Sequence, residues 1–128
     1  MHFELEAKKS LGQNFLKNTT IIKNMVKECL SIAKDYTAQH KKEVSILEIG
    51  PGTGALTTYL LETGLKTVAV EADDRAIPLL TEKFQQYIVD DTFSLIHADI
   101  RKFDTKKMEM PYIIVANIPY YLTGYIMR

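Results

Sequence analysis

Apolar residues recur at helical spacing near the start of the chain and then collect into four short runs. The positions from Ile21 to Ala33 follow the three- and four-residue spacing of an amphipathic helix, and Asn18 is suited to cap its start. The four runs cover residues 44–49, 67–71, 92–97 and 112–116, each of strand length. The pattern therefore predicts one helix followed by four strands.

Two further helices are predicted between the strands. Residues 55–63 follow a glycine-rich turn, with Gly64 as the C-cap, and residues 76–87 carry apolar side chains at helical spacing. Apolar strands that alternate with helices are typical of a parallel sheet covered on both faces. The predicted fold is α/β, a Rossmann-like sheet of parallel strands flanked by helices. In such sheets ligands bind beyond the carboxyl ends of the strands.

Composition favours a single soluble domain. The chain has 128 residues, of which 46% are apolar and 25% charged, and no apolar run approaches the ~18 residues of a membrane span. Residues 1–9 alternate charged with apolar positions and lack the apolar core of a secretory signal. The single cysteine, Cys29, lies on the apolar stripe of the first helix, which indicates a buried, unreactive thiol. We therefore expect a cytoplasmic protein with no membrane partner.

Charge is balanced overall but unevenly distributed. A formal net charge of zero argues against a dedicated nucleic-acid-binding module, which is usually strongly basic. Residues 1–42 nevertheless hold eight lysines and four acidic residues, whereas the remainder holds eight basic and twelve acidic residues. A phosphate-facing N-terminal segment and a solvated basic helix face are both compatible with this excess.

A glycine-rich turn joins the first predicted strand to the next helix. Residues 50–54 read GPGTG, and glycines let a ligand approach backbone N–H groups near a helix N-terminus. Glu71 ends the second strand, where a carboxylate is able to accept hydrogen bonds from both hydroxyls of a ribose. Together they indicate a cofactor of the adenosine type. Gly50, Gly52 and Ala55 also fit the nicotinamide fingerprint G-x-G-x-x-G/A, so the loop alone leaves the cofactor class open.

The segment Asn117, Ile118, Pro119 and Tyr120 follows the fourth strand. The 6-amino nitrogen of adenine is a weak nucleophile because its lone pair is delocalised into the ring. If an asparagine oxygen and a backbone carbonyl accept hydrogen bonds from both N–H groups, that lone pair is directed at an electrophilic methyl group. Pro119 stiffens the segment, and Tyr120 offers a face for base stacking. We interpret it as a site for an amine on a flat ring, against the alternative of an Asn-Pro turn with a core tyrosine.

Other polar residues surround this arrangement. The Asp99 carboxylate is able to accept a hydrogen bond from an adenine amino group while the Ile100 N–H donates to the ring, although Asp99 also suits a simple turn. His97 is interpreted as a packing residue, and since no partner stands at ligand spacing we assign no metal. Residues 8–16, KKSLGQNFL, combine two lysines, two amides and a glycine. They are compatible with a segment that folds over a bound cofactor and contacts phosphate, and also with a simple mobile N-terminal arm.

These motifs resemble the KsgA family of S-adenosylmethionine-dependent ribosomal RNA adenine dimethyltransferases, which have the class I methyltransferase sheet. The resemblance rests on KKSLGQNFL at residues 8–16, EIGPGTGALT at residues 48–57, Glu71 with Asp73, Asp99, and NIPYYLT at residues 117–123. The Erm resistance methyltransferases, which act on large-subunit ribosomal RNA, are also similar. Pro51 and the pair Tyr120 and Tyr121 are more like the KsgA type.

The resemblance implies transfer of two methyl groups to the 6-amino group of each of two adjacent adenosines in small-subunit ribosomal RNA, during ribosome assembly. The implied cofactor is S-adenosylmethionine, and the implied partner is that RNA or the pre-ribosomal small subunit. The implied cofactor-binding residues are Gln13, Asn14, Leu16, Gly50, Gly52, Glu71, Asp99, Ile100 and Asn117. The implied catalytic residues are Asn117, Ile118, Pro119 and Tyr120. A non-catalytic assembly or cofactor-binding fragment and a nicotinamide oxidoreductase remain as alternatives.

The resemblance also implies that residues 1–128 form the N-terminal part of a methyltransferase domain, because family members continue through further strands and a helical domain that docks on RNA. The chain would then end early in the helix that follows the fourth strand. That strand is as apolar as an interior strand, so its outer edge needs a neighbour. We expect such a fragment to bind S-adenosylmethionine weakly and to methylate RNA poorly or not at all.

Overall fold

The computed structural model describes the backbone of residues 2–6, 19–118 and 121–127, and the side chains of residues 19–116. Its elements, in chain order, are β1 (His2–Glu6), α1 (Thr19–His40), β2 (Ser45–Ile49), α2 (Ala55–Glu62), β3 (Thr67–Glu71), α3 (Ala76–Lys83), α4 (Gln85–Val89), β4 (Phe93–His97), β5 (Tyr112–Ile118) and β6 (Tyr121–Met127). Two short 3-10 turns, Ile100–Lys102 and Thr105–Lys107, lie between β4 and β5.

The described strands form one sheet in the order β1-β6-β5-β2-β3-β4. Strands β2, β3, β4 and β5 run parallel, which confirms the predicted parallel α/β core. From β2 the sheet grows in one direction through β3 and β4 and in the other through β5. This reversal of strand order is a topological switch point, the place where open α/β sheets bind ligands.

The helices cover one face of the sheet. Helix α1 is amphipathic and buries residues that include Ile22, Met25 and Cys29 against α2 and the sheet residues Ile46 and Val115. The predicted burial of Cys29 is confirmed. A second cluster continues the same face through α2, α3, α4, β3 and β4. None of the helices in the described residues has both the length and the apolar composition needed to span a membrane.

The opposite face of the sheet is covered more thinly in the part of the chain that the structure describes. Leu47 and Val70 are buried there, against the chain around the two 3-10 turns. Val68, Ile96 and Ile114 are only partly buried. The sequence pattern predicts cover on both faces, because these strands are apolar on both sides. Helical cover in the described residues is confined to the first face.

The predicted helix after the fourth parallel strand is wrong, because residues Tyr121–Met127 form strand β6. It pairs antiparallel with β5 along the edge that we expected to need a neighbour, with Asn117 opposite Leu122 and Ile113 opposite Ile126. The segment YLTGYIM is rich in aromatic and β-branched residues, which favour strands. Strand propensity and the unpaired edge of β5 together account for the difference.

Strand β1 also lies outside the predicted elements. Residues His2–Glu6 pair antiparallel with β6, with His2 opposite Tyr125 and Glu6 opposite Tyr121. The alternation of charged and apolar residues near the N-terminus, which we used only to exclude a signal peptide, has the period of two that is typical of strands. This signal was present in the sequence and was not interpreted.

The helix predicted over residues 76–87 is divided into α3 and α4 at Phe84. The backbone there leaves the helical region, with φ −112° and ψ 23°. The Phe84 ring is buried and meets Phe93 edge to face, with ring centroids 5.5 Å apart. The helix breaks at the residue whose ring packs against β4. Hydrophobic periodicity alone does not reveal this contact.

Candidate functional site

The carboxyl ends of the four parallel strands lie level with one another. Ile49 at the end of β2 is opposite both Val70 of β3 and Ala116 of β5, and Glu71 is opposite His97 of β4. Asn117 follows Ala116 directly, so the backbone register places it beside the start of the glycine loop at Gly50. The structure therefore brings candidate residues from separate parts of the sequence to one edge of the sheet.

The glycine loop is open to a ligand at its first two glycines. Gly50 and Gly52 have φ values of +69° and +58°, a region that side-chain-bearing residues rarely adopt. Within the described part of the chain, a Cβ atom built on Gly50 would meet no heavy atom within 4 Å, and one on Gly52 would meet only the Gly50 carbonyl oxygen, at 3.9 Å. The Gly50 N–H donates to the Val70 carbonyl oxygen at 2.9 Å, which fixes the loop on β3. Among the described residues, the space next to these two Cα atoms is therefore open.

Gly54 has a different role from the other two. Its φ is +84°, and a Cβ atom there would lie 2.7 Å from Cε2 of Phe84 and 3.1 Å from Cδ2 of Leu80. The absence of a side chain lets the start of α2 pack directly against the end of α3. The Gly54 carbonyl oxygen accepts the Thr58 N–H at 3.0 Å, which begins the hydrogen bonding of α2. The close packing of the two helices therefore explains why position 54 has no side chain.

Glu71 joins the glycine loop to the turn after β3. It is 7% exposed, and its Oε1 accepts the Gly52 N–H at 2.8 Å while Oε2 accepts the Asp73 N–H at 3.0 Å. A carboxylate offers about four lone-pair directions, so both oxygens retain capacity for further donors such as ribose hydroxyls. The buried anion thereby stabilises the loop conformation and stays available to a ligand.

A cavity of about 640 Å³ adjoins Glu71 and the glycine loop. It is lined by Gly52, Thr53, Glu71, Asp73, Arg75, Ala76, Leu79 and Lys83. The Leu79 side chain is 69% exposed at its rim, and the Lys83 ammonium donates to the Thr53 carbonyl oxygen at 3.3 Å. The volume falls within the range of small-molecule sites, and its mixture of apolar and polar groups suits a nucleoside.

Asp99 acts as a cap for the first 3-10 turn. Its carboxylate accepts the Arg101 backbone N–H at 2.9 Å, and Nη2 of the exposed Arg101 side chain lies 2.6 Å from Oδ2. These hydrogen bonds from Arg101 lower the pKa of Asp99 to about 2, so the group is anionic at neutral pH. Ile100 is partly buried against the thinly covered face of the sheet. Asp99 therefore forms the turn that the sequence allowed, and its carboxylate already accepts hydrogen bonds from Arg101.

Glu48 is a polar residue of this edge that the site prediction missed. It lies in β2 one residue before Ile49, is 0% exposed, and accepts a hydrogen bond from the Thr57 hydroxyl of α2 at 2.6 Å. Burial is the main cause that raises the pKa of Glu48 to about 7. An acidic residue within the otherwise apolar sequence of a buried strand was the signal available for finding it.

Several predicted site residues cannot be placed as side chains. Gln13, Asn14, Leu16, Pro119 and Tyr120 lie outside the described residues, and Asn117 and Ile118 are described only as the last two backbone positions of β5.

The other two titratable residues considered from the sequence, His97 and Cys29, have structural roles. His97 Nε2 is 3.3 Å from the Ala72 carbonyl oxygen, so the ring joins the ends of β3 and β4. Burial raises the pKa of the Cys29 thiol to about 12, which keeps it protonated and unreactive. Among the residues that the structure describes, no group of three or more His, Cys, Asp or Glu side chains is arranged to hold a metal ion.

Curated relatives are similar to this chain over nearly its whole length. The chain is 38% identical over 129 residues to ribosomal RNA small subunit methyltransferase A of Dehalococcoides mccartyi strain CBDB1, covering 98% of this chain and 40% of that protein. It is 41% identical over 123 residues to the protein of the same name from Lactococcus lactis subsp. lactis strain IL1403, covering 91% and 38%. The chain therefore spans about two fifths of the length of the curated relatives that it matches.

Solved methyltransferase structures share the fold. The plantazolicin methyltransferase BpumL superposes with a TM-score of 0.52 and 14% identity, covering 84% of this chain and 56% of that one. The glycopeptide N-methyltransferase MtfA superposes with a TM-score of 0.50 and 20% identity, covering 69% and 36%. The model of the family described as ribosomal RNA adenine dimethylase matches residues 4–128. The chain belongs to the ribosomal RNA adenine dimethylase family.

Proposed function

We propose that this chain holds S-adenosylmethionine at the glycine loop and forms the N-terminal part of an enzyme that dimethylates adenosines in small-subunit ribosomal RNA. The observation that carries the proposal is the contact between the Glu71 carboxylate and the Gly52 N–H at the switch point of the sheet, in a chain of this family. The names of the curated relatives favour a small-subunit substrate over the Erm-type alternative.

The described residues fit the cofactor by shape and by charge. Open space beside Gly50 and Gly52 leaves room for a ligand against the backbone, and the adjoining cavity is large enough for a nucleoside. Glu71 provides buried acceptors for ribose hydroxyls. In this proposal Asp99 and the Ile100 N–H recognise the adenine, and Gln13, Asn14 and Leu16 belong to a segment that covers the cofactor.

The proposed reaction depends on positioning of the acceptor amine. When bound, S-adenosylmethionine supplies an electrophilic methyl group on a sulfonium. The two N–H groups of the target amine donate hydrogen bonds to the Asn117 side chain and to the carbonyl groups of Ile118 and Pro119, which orients the lone pair of the nitrogen. Tyr120 stacks against the base. A strong general base is not required in this scheme, since most of the acceleration comes from fixed orientation of the reacting groups. A base within an RNA helix must leave its stack to reach such a site.

The proposed partner is small-subunit ribosomal RNA or the pre-ribosomal small subunit, and the proposed location is the cytoplasm. In this proposal residues 1–128 provide the cofactor site, while the greater length of the relatives provides the docking surface for RNA. RNA association by phosphate contacts is expected to weaken steeply with salt.

Calorimetry with S-adenosylmethionine, S-adenosylhomocysteine and NAD tests the cofactor class directly. We expect the first two to bind and NAD to give no heat. Glu71→Gln should weaken S-adenosylmethionine binding at least tenfold, because the ribose acceptor loses its charge, whereas Glu82→Gln, at an exposed position of α3, should leave it unchanged. Binding of NAD without S-adenosylmethionine would favour the oxidoreductase alternative and contradict the proposal.

Methyl transfer is tested with labelled S-adenosylmethionine and small-subunit precursor particles. The chain of 128 residues is expected to transfer slowly or not at all, and Asn117→Ala should abolish whatever transfer is measured. Whatever RNA association the chain has without that docking surface should be the same in the variant. Transfer that is unchanged in Asn117→Ala would contradict the assigned role of the Asn117 amide.

A further inference from the structure

Glu48 is a carboxyl group enclosed by the sheet and the helices. It is 0% exposed, with Ala69 of β3 and Val115 of β5 beside it in the register of the sheet. The Thr57 hydroxyl of α2 donates a hydrogen bond of 2.6 Å to Oε1. Strand β2 and helix α2, which flank the glycine loop on both sides in sequence, are therefore tied together through this one side chain.

The second oxygen of Glu48 has no corresponding partner. Oε2 is buried without a hydrogen bond from any residue in the described part of the chain. A carboxylate at this depth with a single donor is strongly disfavoured, because burial removes its hydration without replacing it. Burial raises the pKa of Glu48 to about 7, the Thr57 hydrogen bond opposes the shift, and the charge of Glu71 adds to it. A proton on Oε2 removes the buried charge, while the Thr57 hydroxyl continues to donate to Oε1.

The surroundings of Glu48 contain few other groups that could titrate with it. Within residues 19–116, helix α2 contributes Thr57 and strand β3 contributes Glu71, whereas the neighbouring position of β5 is Val115. The buried residues of α1, which packs on the same sheet face, are apolar apart from Cys29, whose thiol stays protonated. Tyr36 of α1 and Tyr59 of α2 are partly buried against the same cluster. The protonation state of Glu48 therefore responds chiefly to the charge placed near the glycine loop.

We propose that Glu48 is a proton-linked positioning residue of the cofactor site: it carries a proton when the site is empty and releases it to solvent when a cationic ligand occupies the loop. The inference rests on the proposed function, which places a cofactor that carries sulfonium and ammonium groups at the glycine loop, whose first residue, Gly50, follows Glu48 by two positions. A nearby positive charge stabilises the carboxylate, and by linkage the ionised carboxylate binds the cation more tightly. The step is the ionisation of one carboxylic acid and needs no other reactant.

The linkage makes affinity depend on pH in a defined direction. With a pKa of about 7 in the empty site, about nine tenths of the chains hold the proton at pH 6 and about one tenth at pH 8. Because only the ionised form binds tightly, the apparent affinity scales with its fraction and should rise about tenfold from pH 6 to pH 8. About 0.9 proton should be released per ligand at pH 6.

Carbon-13 NMR of glutamate-labelled chain tests the empty state. The resonance that is missing in Glu48→Gln should titrate near pH 7, and saturating S-adenosylmethionine should leave it ionised at pH 6. Thr57→Val should raise the titration midpoint, because Thr57 stabilises the carboxylate, whereas Glu82→Gln removes another resonance and leaves this one unchanged. An ordinary midpoint near pH 4.5, or the same midpoint with and without ligand, would overturn the inference.

Calorimetry across pH tests the linkage to binding. We expect the affinity for S-adenosylmethionine to rise about tenfold between pH 6 and pH 8 in the native chain and by less than about twofold in Glu48→Gln, which cannot ionise. Thermal unfolding of each variant verifies that the substitution leaves the chain folded. Equal pH dependence in both chains would overturn the inference alone. The amide signals of residues 50–54 report binding in the same samples. If they show no binding of S-adenosylmethionine at pH 8, the proposed function is contradicted and this inference fails with it.

Discussion

Gly54→Ala should destabilise the domain far more than an equivalent substitution elsewhere. Gly54 has φ +84°, and a side chain in the left-handed region costs about 1 to 2 kcal/mol. The new Cβ would also lie 2.7 Å from Cε2 and 2.9 Å from Cζ of Phe84, whose ring is buried. Overpacking of a core typically adds about 1 to 3 kcal/mol, so we expect a total loss of about 2 to 4 kcal/mol after allowing for reduced entropy of the unfolded chain.

Gly64→Ala is the matched control for this effect. Gly64 has a similar φ of +81°, but a Cβ atom added there would meet no heavy atom of the described residues within 4 Å. It should lose only the backbone contribution, about 1 kcal/mol. In urea unfolding, with a slope of about 2 kcal/mol per molar, Gly54→Ala should lower the midpoint by roughly 1 to 2 M and Gly64→Ala by much less.

A second substitution identifies the clash itself. Phe84→Leu removes the ring atoms that the new methyl group would approach, so the double variant with Gly54→Ala should be more stable than the sum of the two single effects by about 1 kcal/mol. Equal losses in Gly54→Ala and Gly64→Ala, or strict additivity with Phe84→Leu, would refute the assignment of Gly54 to helix packing.

Three further outcomes are expected. Because the folded-state pKa of Glu48 is about 7 against an ordinary value of 4.5, its contribution to stability is full below about pH 4.5 and is lost as the pH rises through 7. Glu48→Gln should therefore gain up to about 3 kcal/mol relative to the native chain between pH 4.5 and pH 8, and parallel stability curves in urea would contradict this. Glu71→Gln should lower the free energy of unfolding by about 1 to 3 kcal/mol, since the charged acceptor of the Gly52 and Asp73 N–H groups is lost; an unchanged urea midpoint would show that these hydrogen bonds contribute little. In hydrogen exchange, successive amides of β6 should be protected, because its N–H groups face β5 and β1 in turn, and helical chemical shifts over Tyr121–Met127 would contradict the observed pairing.

The parallel core was predictable because its signals are local. Short apolar runs, the helices between them and the turn at residues 50–54 each fall within a few residues, and together they specify a sheet of parallel strands connected by helices. The level ends of the strands follow from parallel register, so the neighbourhood of the glycine loop, Glu71 and Asn117 could be expected in advance.

Strand β1 was missed because its pairing is not local. His2 lies opposite Tyr125, and no short window of sequence records that the two segments meet. Residues 121–127 were interpreted by analogy with longer family members, although their composition favours a strand.

The details of the candidate site depended on burial, which the sequence states only indirectly. Gly54 was grouped with the glycines that open the loop, although Phe84, thirty residues later, determines its role. Glu48 was included in the glycine motif without a role, because its significance comes from complete burial and from Thr57 on the next helix. Contacts between separate elements decide both cases.

Amide NMR of the chain during titration with S-adenosylmethionine tests the central claim most directly. The account predicts saturable shifts concentrated at residues 50–54, 71–73 and 98–100 and at the end of β5, with no comparable response to NAD. The opposite edge of the sheet also has cavities, lined by residues that include Ser45, Lys66 and Glu109. Shifts confined to that edge, or no shifts at all, would contradict the account.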